Sequence, residues 1–256
     1  MKKSGQIGSK KKGASWLIYN NCCPGGKTYM TLKTAPKPMK FINVDGRDSD
    51  SMIEAAGQNT KDVEGLELDY SLPPLLMLED LTLTLGQFIE LAAAGKFPYK
   101  AVFFDSMSYY ANITVVNLME MENNKAGVEM DESLPIGTSR TLNWNNYNFM
   151  GSNSLEVTKF INTLTQYGVH VIVSAHGTEA DIARPYFTGK KYDNTVKHLF
   201  DYIGYITGRF DDDGLRKYPS AISFSNEFAL TRYTGKQPKP EMPFDWNYIL
   251  KYWDFI

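Results

Sequence analysis

The sequence is poor in cysteine and has no long apolar run. Its only two cysteines, Cys22 and Cys23, are adjacent, whereas a disulfide framework needs well-separated pairs, so we expect a reducing, intracellular environment. No apolar run approaches the roughly 20 residues that cross a bilayer, and the first dozen residues lack the apolar stretch of a signal peptide. The sequence therefore predicts a cytoplasmic protein with no membrane partner.

An excess of charge of one sign is also lacking. The 256 residues include 27 Lys and Arg against 29 Asp and Glu, for a net charge of -2, which argues against a protein that coats nucleic acid by bulk charge. The hydrophobic content of 43% is that of a globular chain. At ~150 residues per domain, the length favours one large domain that spans residues 1–256. The lysine-rich residues 1–13 are either a solvated tail or a nucleic-acid-binding arm.

Short apolar runs alternate with helical patterns along the chain. Helices are predicted at 83–94 and 155–167, and a third begins near Lys27. The predicted strands are 16–19, 41–44, 99–104, 169–175, 202–207 and 221–224, with residues 228–233 completing a hairpin. This alternation predicts an α/β fold with a mostly parallel central sheet, helices on both faces, and a β-hairpin near the C-terminus. The long segment 107–150 is predicted to be an inserted subdomain or a mobile functional loop.

Residues 21–28, Asn-Cys-Cys-Pro-Gly-Gly-Lys-Thr, are the most informative segment of the chain. They follow the P-loop pattern G-x-x-x-x-G-K-[ST] between a strand and a helix, with Asn21 in place of the first glycine. Asn tolerates left-handed backbone better than most residues, so the turn can still form. In such a loop the backbone amides bind phosphates, Lys27 neutralises the β- and γ-phosphates, and the Thr28 hydroxyl binds Mg²⁺. The predicted nucleotide-binding residues are Asn21, Cys22, Cys23, Pro24, Gly25, Gly26, Lys27, Thr28 and Tyr29.

The adjacent thiols in this loop have two interpretations. They are small side chains in a loop where only the backbone binds phosphate, or they make the loop sensitive to oxidation, because a helix N-terminus lowers the pKa of a thiol.

Polar residues end three further predicted strands. Asp105 is expected to hold Mg²⁺ together with Thr28, or to cap the helix that follows. Asp45 is expected to activate the attacking water, or to be a turn residue. His176 is expected to detect the γ-phosphate, or to be structural. The predicted catalytic residues are thus Lys27, Asp45 and His176, and the predicted metal ligands are Thr28 and Asp105.

Together these strand ends resemble the RecA-like branch of P-loop ATPases. More narrowly, they resemble the phage-encoded RecA-like ATP-binding proteins linked to single-strand annealing and recombination, the Sak group. In that family an Ile-Tyr pair precedes the P-loop, as at 18–19, and the Walker B strand ends in Asp-Ser, as at 105–106. A later strand ends in a small residue and His, as at 175–176. The family usually has Glu where Asp45 stands, and the resemblance spans residues 14–235.

This resemblance implies an enzyme that hydrolyses ATP with Mg²⁺ and acts in phage DNA recombination, single-strand annealing or replication in the host cytoplasm. It implies a homo-oligomer in which a neighbouring subunit supplies a basic residue to the ATP, here Arg232 or Lys236. It also implies single-stranded DNA and phage replication or recombination proteins as partners.

By position, the loop that faces DNA in this family corresponds to residues 177–197. Its candidate DNA-binding residues are Arg184, Lys190 and Lys191. Its aromatic residues are expected either to stack on bases or to form a protein-docking surface. They are Tyr186, Phe187 and Tyr192.

Two other functions fit the sequence. In a non-hydrolysing nucleotide-binding or structural protein, Asn21 and Asp45 would mark a degraded site. A P-loop kinase acting on a small molecule would need an arginine-bearing lid over the nucleotide, and the sequence contains no arginine cluster.

Overall fold

A computed structural model describes most of the 256-residue chain. The described residues are 13–21, 26–59, 61–114, 144–178, 181–187, 193–210, 212–213 and 216–256. The basic segment 1–12, most of the P-loop and the middle of the predicted insertion lie outside these ranges.

These residues form one eight-stranded sheet in the order β3-β2-β4-β5-β1-β6-β7-β8. The first six strands in chain order pair in parallel, whereas β7 pairs antiparallel with both β6 and β8. The strands are β1 (Ser15–Asn20), β2 (Met39–Asn43), β3 (Val63–Glu67), β4 (Ala101–Asp105), β5 (His170–His176), β6 (Tyr202–Phe210), β7 (Arg216–Ser223) and β8 (Met242–Pro243). The central sheet is therefore mostly parallel, as the sequence predicts.

Helices cover both faces of this sheet. They are α1 (Lys27–Thr34), α2 (Ser49–Ala55), α3 (Pro74–Ala93), α4 (107–114 in its described part), α5 (Trp144–Asn162), α6 (Asp193–Leu199) and α7 (Trp246–Tyr252). A 3₁₀ turn, Thr163–Tyr167, continues from α5 and ends at Gly168 with φ 90°. No helix in the described part of the chain combines the length and the apolarity that a bilayer crossing requires.

Every residue of β1 is buried, because a different hydrophobic cluster packs on each face of the strand. On one face Leu17 and Tyr19 contact the cluster formed with α3, α4 and α5. On the other face Trp16 and Ile18 contact the cluster formed with α1, α2 and α7. The continuous apolar run of β1 thus places this strand in the middle of the sheet, with its polar end, Asn20, at the carboxyl edge.

Several sequence-based boundaries need correction. The helix predicted at 83–94 begins nine residues earlier, at Pro74, where a proline is well tolerated in the first turn. The hairpin that residues 228–233 were predicted to complete is not formed; the antiparallel pair near the C-terminus is β6 and β7 instead. Residues 228–233 make only isolated bridges, Ala229 with Ala183 and Arg232 with Ile203. Strand β3 was missed because its sequence, VEGLE, is not a continuous apolar run, and β8 was missed because it has two residues.

His170, the first residue of β5, makes the stability of the fold depend on pH. Its side chain is buried against Phe255, with ring centroids 5.2 Å apart, and burial lowers its pKa to about 4. In the unfolded chain His170 becomes protonated below its ordinary pKa of 6.5, whereas in the folded chain it stays neutral down to about pH 4. The free energy of unfolding is therefore unaffected by His170 above pH 6.5 and decreases as the pH falls below that value.

We expect the wild-type protein to lose about 2 kcal/mol of unfolding free energy from this group between pH 7 and pH 5. Urea denaturation of the wild type and of His170→Gln at both pH values measures it. The variant should be less stable at pH 7 but should show a pH dependence smaller by about that amount. Equal pH dependence in the two proteins would show that His170 is not responsible.

Candidate functional site

Four parallel strands bring their polar ends to one edge of the sheet. The registers of the strand pairs place Asn20 of β1 beside His176 of β5, and Asn43 of β2 beside Asp105 of β4. Because β4 and β5 are also neighbours, these ends form one continuous row. The carboxyl edge of a parallel sheet is where α/β proteins bind ligands, so the residues predicted from separate motifs share one site.

The described end of the predicted P-loop is the turn that leads into helix α1. Gly26 has φ 71°, a left-handed conformation that favours glycine, and helix α1 begins at the next residue, Lys27. The Lys27 ammonium donates a hydrogen bond to the Asn20 side-chain oxygen at the end of β1. Residues 22–25 of the predicted nucleotide site lie outside the described residues. The helix start and its lysine therefore face the edge where the strand ends meet.

Asn21 occupies the position where the P-loop pattern has its first glycine, and it packs tightly against the end of β5. The Gly177 amide donates to the carbonyl of Asn20 at 2.7 Å. A methyl group on Gly177 would lie 2.0 Å from the Asn21 side-chain oxygen. This oxygen is buried and has no hydrogen-bond partner among the described residues. Gly177 is thus required for the close approach of the β5 end to the start of the loop.

Thr28 and Asp105 are in direct contact across the sheet. The Thr28 hydroxyl donates a hydrogen bond to one carboxylate oxygen of Asp105, and the Ser174 hydroxyl of β5 donates to the other. Asp105 is only 3% exposed, and the peptide bond that follows it is cis. Both predicted metal ligands therefore lie side by side, and Ser174 orients the Asp105 carboxylate through the oxygen that does not contact Thr28.

This pair fits a magnesium ion by its chemistry. Mg²⁺ prefers oxygen ligands and commonly binds one or two carboxylates while keeping several waters. A hydroxyl and a carboxylate that already contact each other can share such an ion. No group of three or more His, Cys, Asp or Glu side chains suited to a metal occurs among the described residues.

Asp45 lies in a turn after β2 and forms an ion pair that the sequence analysis missed. Its carboxylate accepts hydrogen bonds from Nε of Arg47 at 2.8 Å and from a second guanidinium nitrogen. The Tyr70 hydroxyl donates to the carbonyl of Val44 in the same turn. Burial and the Asp45 charge raise the pKa of Tyr70 to about 12, so this hydroxyl stays protonated. Arg47 in turn has its pKa raised, chiefly by its hydrogen bond to Asp45.

His176 is exposed at the end of β5, and its backbone amide donates to the Ser108 hydroxyl at 2.8 Å. Partial desolvation lowers the pKa of its imidazole, and the Lys27 ammonium acts in the same direction. The ring is therefore neutral at pH 7, so one of its nitrogens can donate a hydrogen bond and the other can accept one. Ser108 also donates to the carbonyl of Tyr186 at 2.6 Å, so it links β5 to the segment that follows.

The remaining predicted site residues have mixed outcomes. Tyr29 is partly buried, and its ring packs against the cluster on the α1 side of the sheet. Arg184 is half-buried in the segment after β5, and Lys190 and Lys191 lie outside the described residues.

Among the aromatic candidates of this segment, Tyr186 is 43% exposed and can stack on a ligand, but Phe187 is completely buried in the core. The prediction that Phe187 stacks on bases is therefore wrong.

Sequence patterns carried some signal for the missed residues. Ser174 interrupts the apolar run of β5, and a buried polar side chain normally has a hydrogen-bond partner. Arg47 follows Asp45 at a separation that suits a turn. No sequence pattern indicates the role of Tyr70, because it contacts residues 44–46 only through the tertiary structure.

No protein-family model matches this chain, and no curated protein matches it.

If Thr28 and Asp105 bind Mg²⁺ as the sequence predicts, removing the Ser174 hydroxyl should weaken magnesium binding without removing either predicted ligand. In Ser174→Ala one buried oxygen of Asp105 loses its donor, and loss of a residue that orients a metal ligand typically costs about 10- to 100-fold in metal affinity. We expect the Mg²⁺ concentration for half-maximal nucleotide binding to rise about tenfold or more.

The matched control is Ser220→Ala, because Ser220 is equally buried but lies on β7 and its hydroxyl has no hydrogen-bond partner among the described residues. Identical Mg²⁺ dependence in the two variants would mean that Ser174 does not support the Asp105 carboxylate.

Proposed function

We propose that this protein is a RecA-like P-loop ATPase that binds Mg-ATP, transfers the γ-phosphoryl group to water, and acts in phage DNA recombination, single-strand annealing or replication. The observation that carries this proposal is the contact between the Thr28 hydroxyl and the Asp105 carboxylate at the carboxyl edge of the sheet. A hydroxyl at the start of a helix and a carboxylate from another strand are the pair that P-loop NTPases use for magnesium.

Each residue of the site has a separate role in this mechanism. Lys27 and the amides at the start of α1 neutralise the phosphates, and Gly26 lets the backbone approach them. Thr28 and Asp105 would hold Mg²⁺, which neutralises charge that develops on the phosphate oxygens. Asp45 accepts a proton from the attacking water, and neutral His176 hydrogen-bonds near the terminal phosphate.

A connection from this site to the segment after β5 supports a DNA-dependent activity. His176 and Tyr186 are joined through Ser108 and by a backbone hydrogen bond of 2.7 Å from the Tyr186 amide to the His176 carbonyl. Tyr186 is exposed, and so is Phe228, whose carbonyl accepts from the Ala183 amide in the same segment. Exposed aromatic rings bind single-stranded DNA by stacking, so a change at His176 could alter DNA binding.

Self-association belongs to the same proposal. In this function a neighbouring subunit supplies a cation to the ATP, and Arg232 and Lys236 are the candidates. Arg232 lies beside β6, where its amide donates to Ile203. Lys236 lies against Tyr252 of α7, with its ammonium 4.2 Å from the ring centroid.

A non-hydrolysing nucleotide-binding protein is a second candidate, and one observation favours it. The carboxylate of Asp45 is already hydrogen-bonded to Arg47, so one of its oxygens is occupied by a partner other than water. Binding of ATP without turnover would favour this candidate over an ATPase.

Lys27→Ala provides the direct test of the ATPase. Loss of the cation on the transferred phosphate should lower kcat at least 100-fold, the scale seen when one transition-state donor is removed. ATP turnover is measured without DNA, with single-stranded DNA and with double-stranded DNA, and product analysis detects phosphate transfer to any acceptor other than water. We expect single-stranded DNA to increase the rate most.

Lys96→Ala is the control, because it removes an exposed lysine from the turn after α3. Turnover in Lys27→Ala equal to that of the control would contradict the P-loop assignment. Transfer of phosphate to a small molecule would instead identify a kinase.

A further inference from the structure

The turn after β2 has a rigid backbone. The buried Asn43 side chain donates to the carbonyl of Arg47 and accepts from the Asp45 amide at 3.3 Å. Gly46 has φ 73°, and a methyl group there would lie 3.3 Å from the Tyr70 ring. Because Tyr70 also donates to the carbonyl of Val44, the backbone of this turn is held from two sides.

The side chains of the same turn differ in their freedom. The Asp45 side chain is 10% exposed, whereas the Arg47 side chain is 61% exposed. Because the Arg47 guanidinium is mostly in contact with water, it can be solvated when it leaves Asp45. Arg47 can therefore move to another anion while the mostly buried Asp45 side chain stays in place.

The turn that carries Arg47 lies beside the proposed phosphate site. Asn43, which precedes the turn, pairs with Asp105, and the Val44 amide donates to the Asp105 carbonyl at 2.6 Å. The charge of Asp105 accordingly contributes to the raised pKa of Arg47. A bound triphosphate would carry more negative charge than one carboxylate, and two of its oxygens could accept bidentate hydrogen bonds from the guanidinium.

We propose that Arg47 exchanges the Asp45 carboxylate for the terminal phosphate of a bound nucleoside triphosphate, and that this exchange releases Asp45 to act as the base. The inference rests on the proposed function, since it requires a nucleotide at this edge of the sheet. With a nucleoside diphosphate, no terminal phosphate competes for Arg47, and Asp45 stays paired. The base is thus available only when substrate is bound.

This exchange predicts a difference between triphosphate and diphosphate binding. Affinities for the β,γ-imido analogue of ATP and for ADP, both with Mg²⁺, are measured by titration calorimetry. In Arg47→Ala we expect the analogue to bind at least tenfold more weakly, as for loss of a charge-assisted hydrogen bond, and ADP to bind within twofold of wild type. Lys61→Ala, which removes an exposed lysine before β3, controls for net charge and should bind both nucleotides like wild type.

A double-mutant cycle tests the competition itself. Asp45→Asn removes the competing carboxylate, so the analogue should bind more tightly than to wild type while ADP binding stays the same. Asp45→Asn also removes a negative charge that repels phosphate directly, and that part of the gain is independent of Arg47. In the Arg47→Ala background the gain should therefore be smaller, and the difference between the two backgrounds measures the competition.

The outcomes separate the inference from the function on which it rests. Equal weakening of both nucleotides in Arg47→Ala, or an Asp45→Asn gain of the same size with and without Arg47, would overturn the exchange and leave the nucleotide site standing. If the wild type binds neither nucleotide, the proposed function fails and the exchange fails with it. Melting temperatures of all variants establish that each is folded.

Discussion

A hydrogen bond joins Thr28 of helix α1, which follows β1, to Asp105 at the end of β4, a strand that is not a neighbour of β1 in the sheet. Strand β5 lies between β1 and β4, and strands spaced ~4.8 Å apart put the two outer ones roughly 10 Å from each other. The gap closes because α1 starts directly after the loop and because Ser174 of β5 supports the carboxylate from its other side. The start of α1 is thus held against the end of β4.

The chemistry of the site depends on how its charges are compensated before a ligand binds. Lys27 contacts the amide oxygen of Asn20, Asp105 is held by two hydroxyl groups, and Asp45 is held by Arg47. Each charged group thus has a hydrogen-bond partner at this edge of the sheet.

The sequence was most informative where one local rule decides the structure. Apolar runs that end in a polar residue predicted the central strands and the row of site residues at their ends, because a buried parallel strand needs little more than continuous hydrophobicity. It failed where tertiary contacts decide. Residues 228–233 look like a strand but find no long pairing partner, Phe187 looks like a surface aromatic but fills the core, and Arg47 acquires its role only through a turn fixed by Asn43 and Tyr70.

The most direct test of the central contact is the location of a divalent ion. Crystals grown with Mn²⁺ and the β,γ-imido analogue of ATP would show the ion by its anomalous scattering. The account predicts one manganese peak beside the Thr28 hydroxyl on the side facing Asp105, with the triphosphate against the start of α1. A triphosphate bound elsewhere, or a manganese peak remote from both side chains, would contradict it.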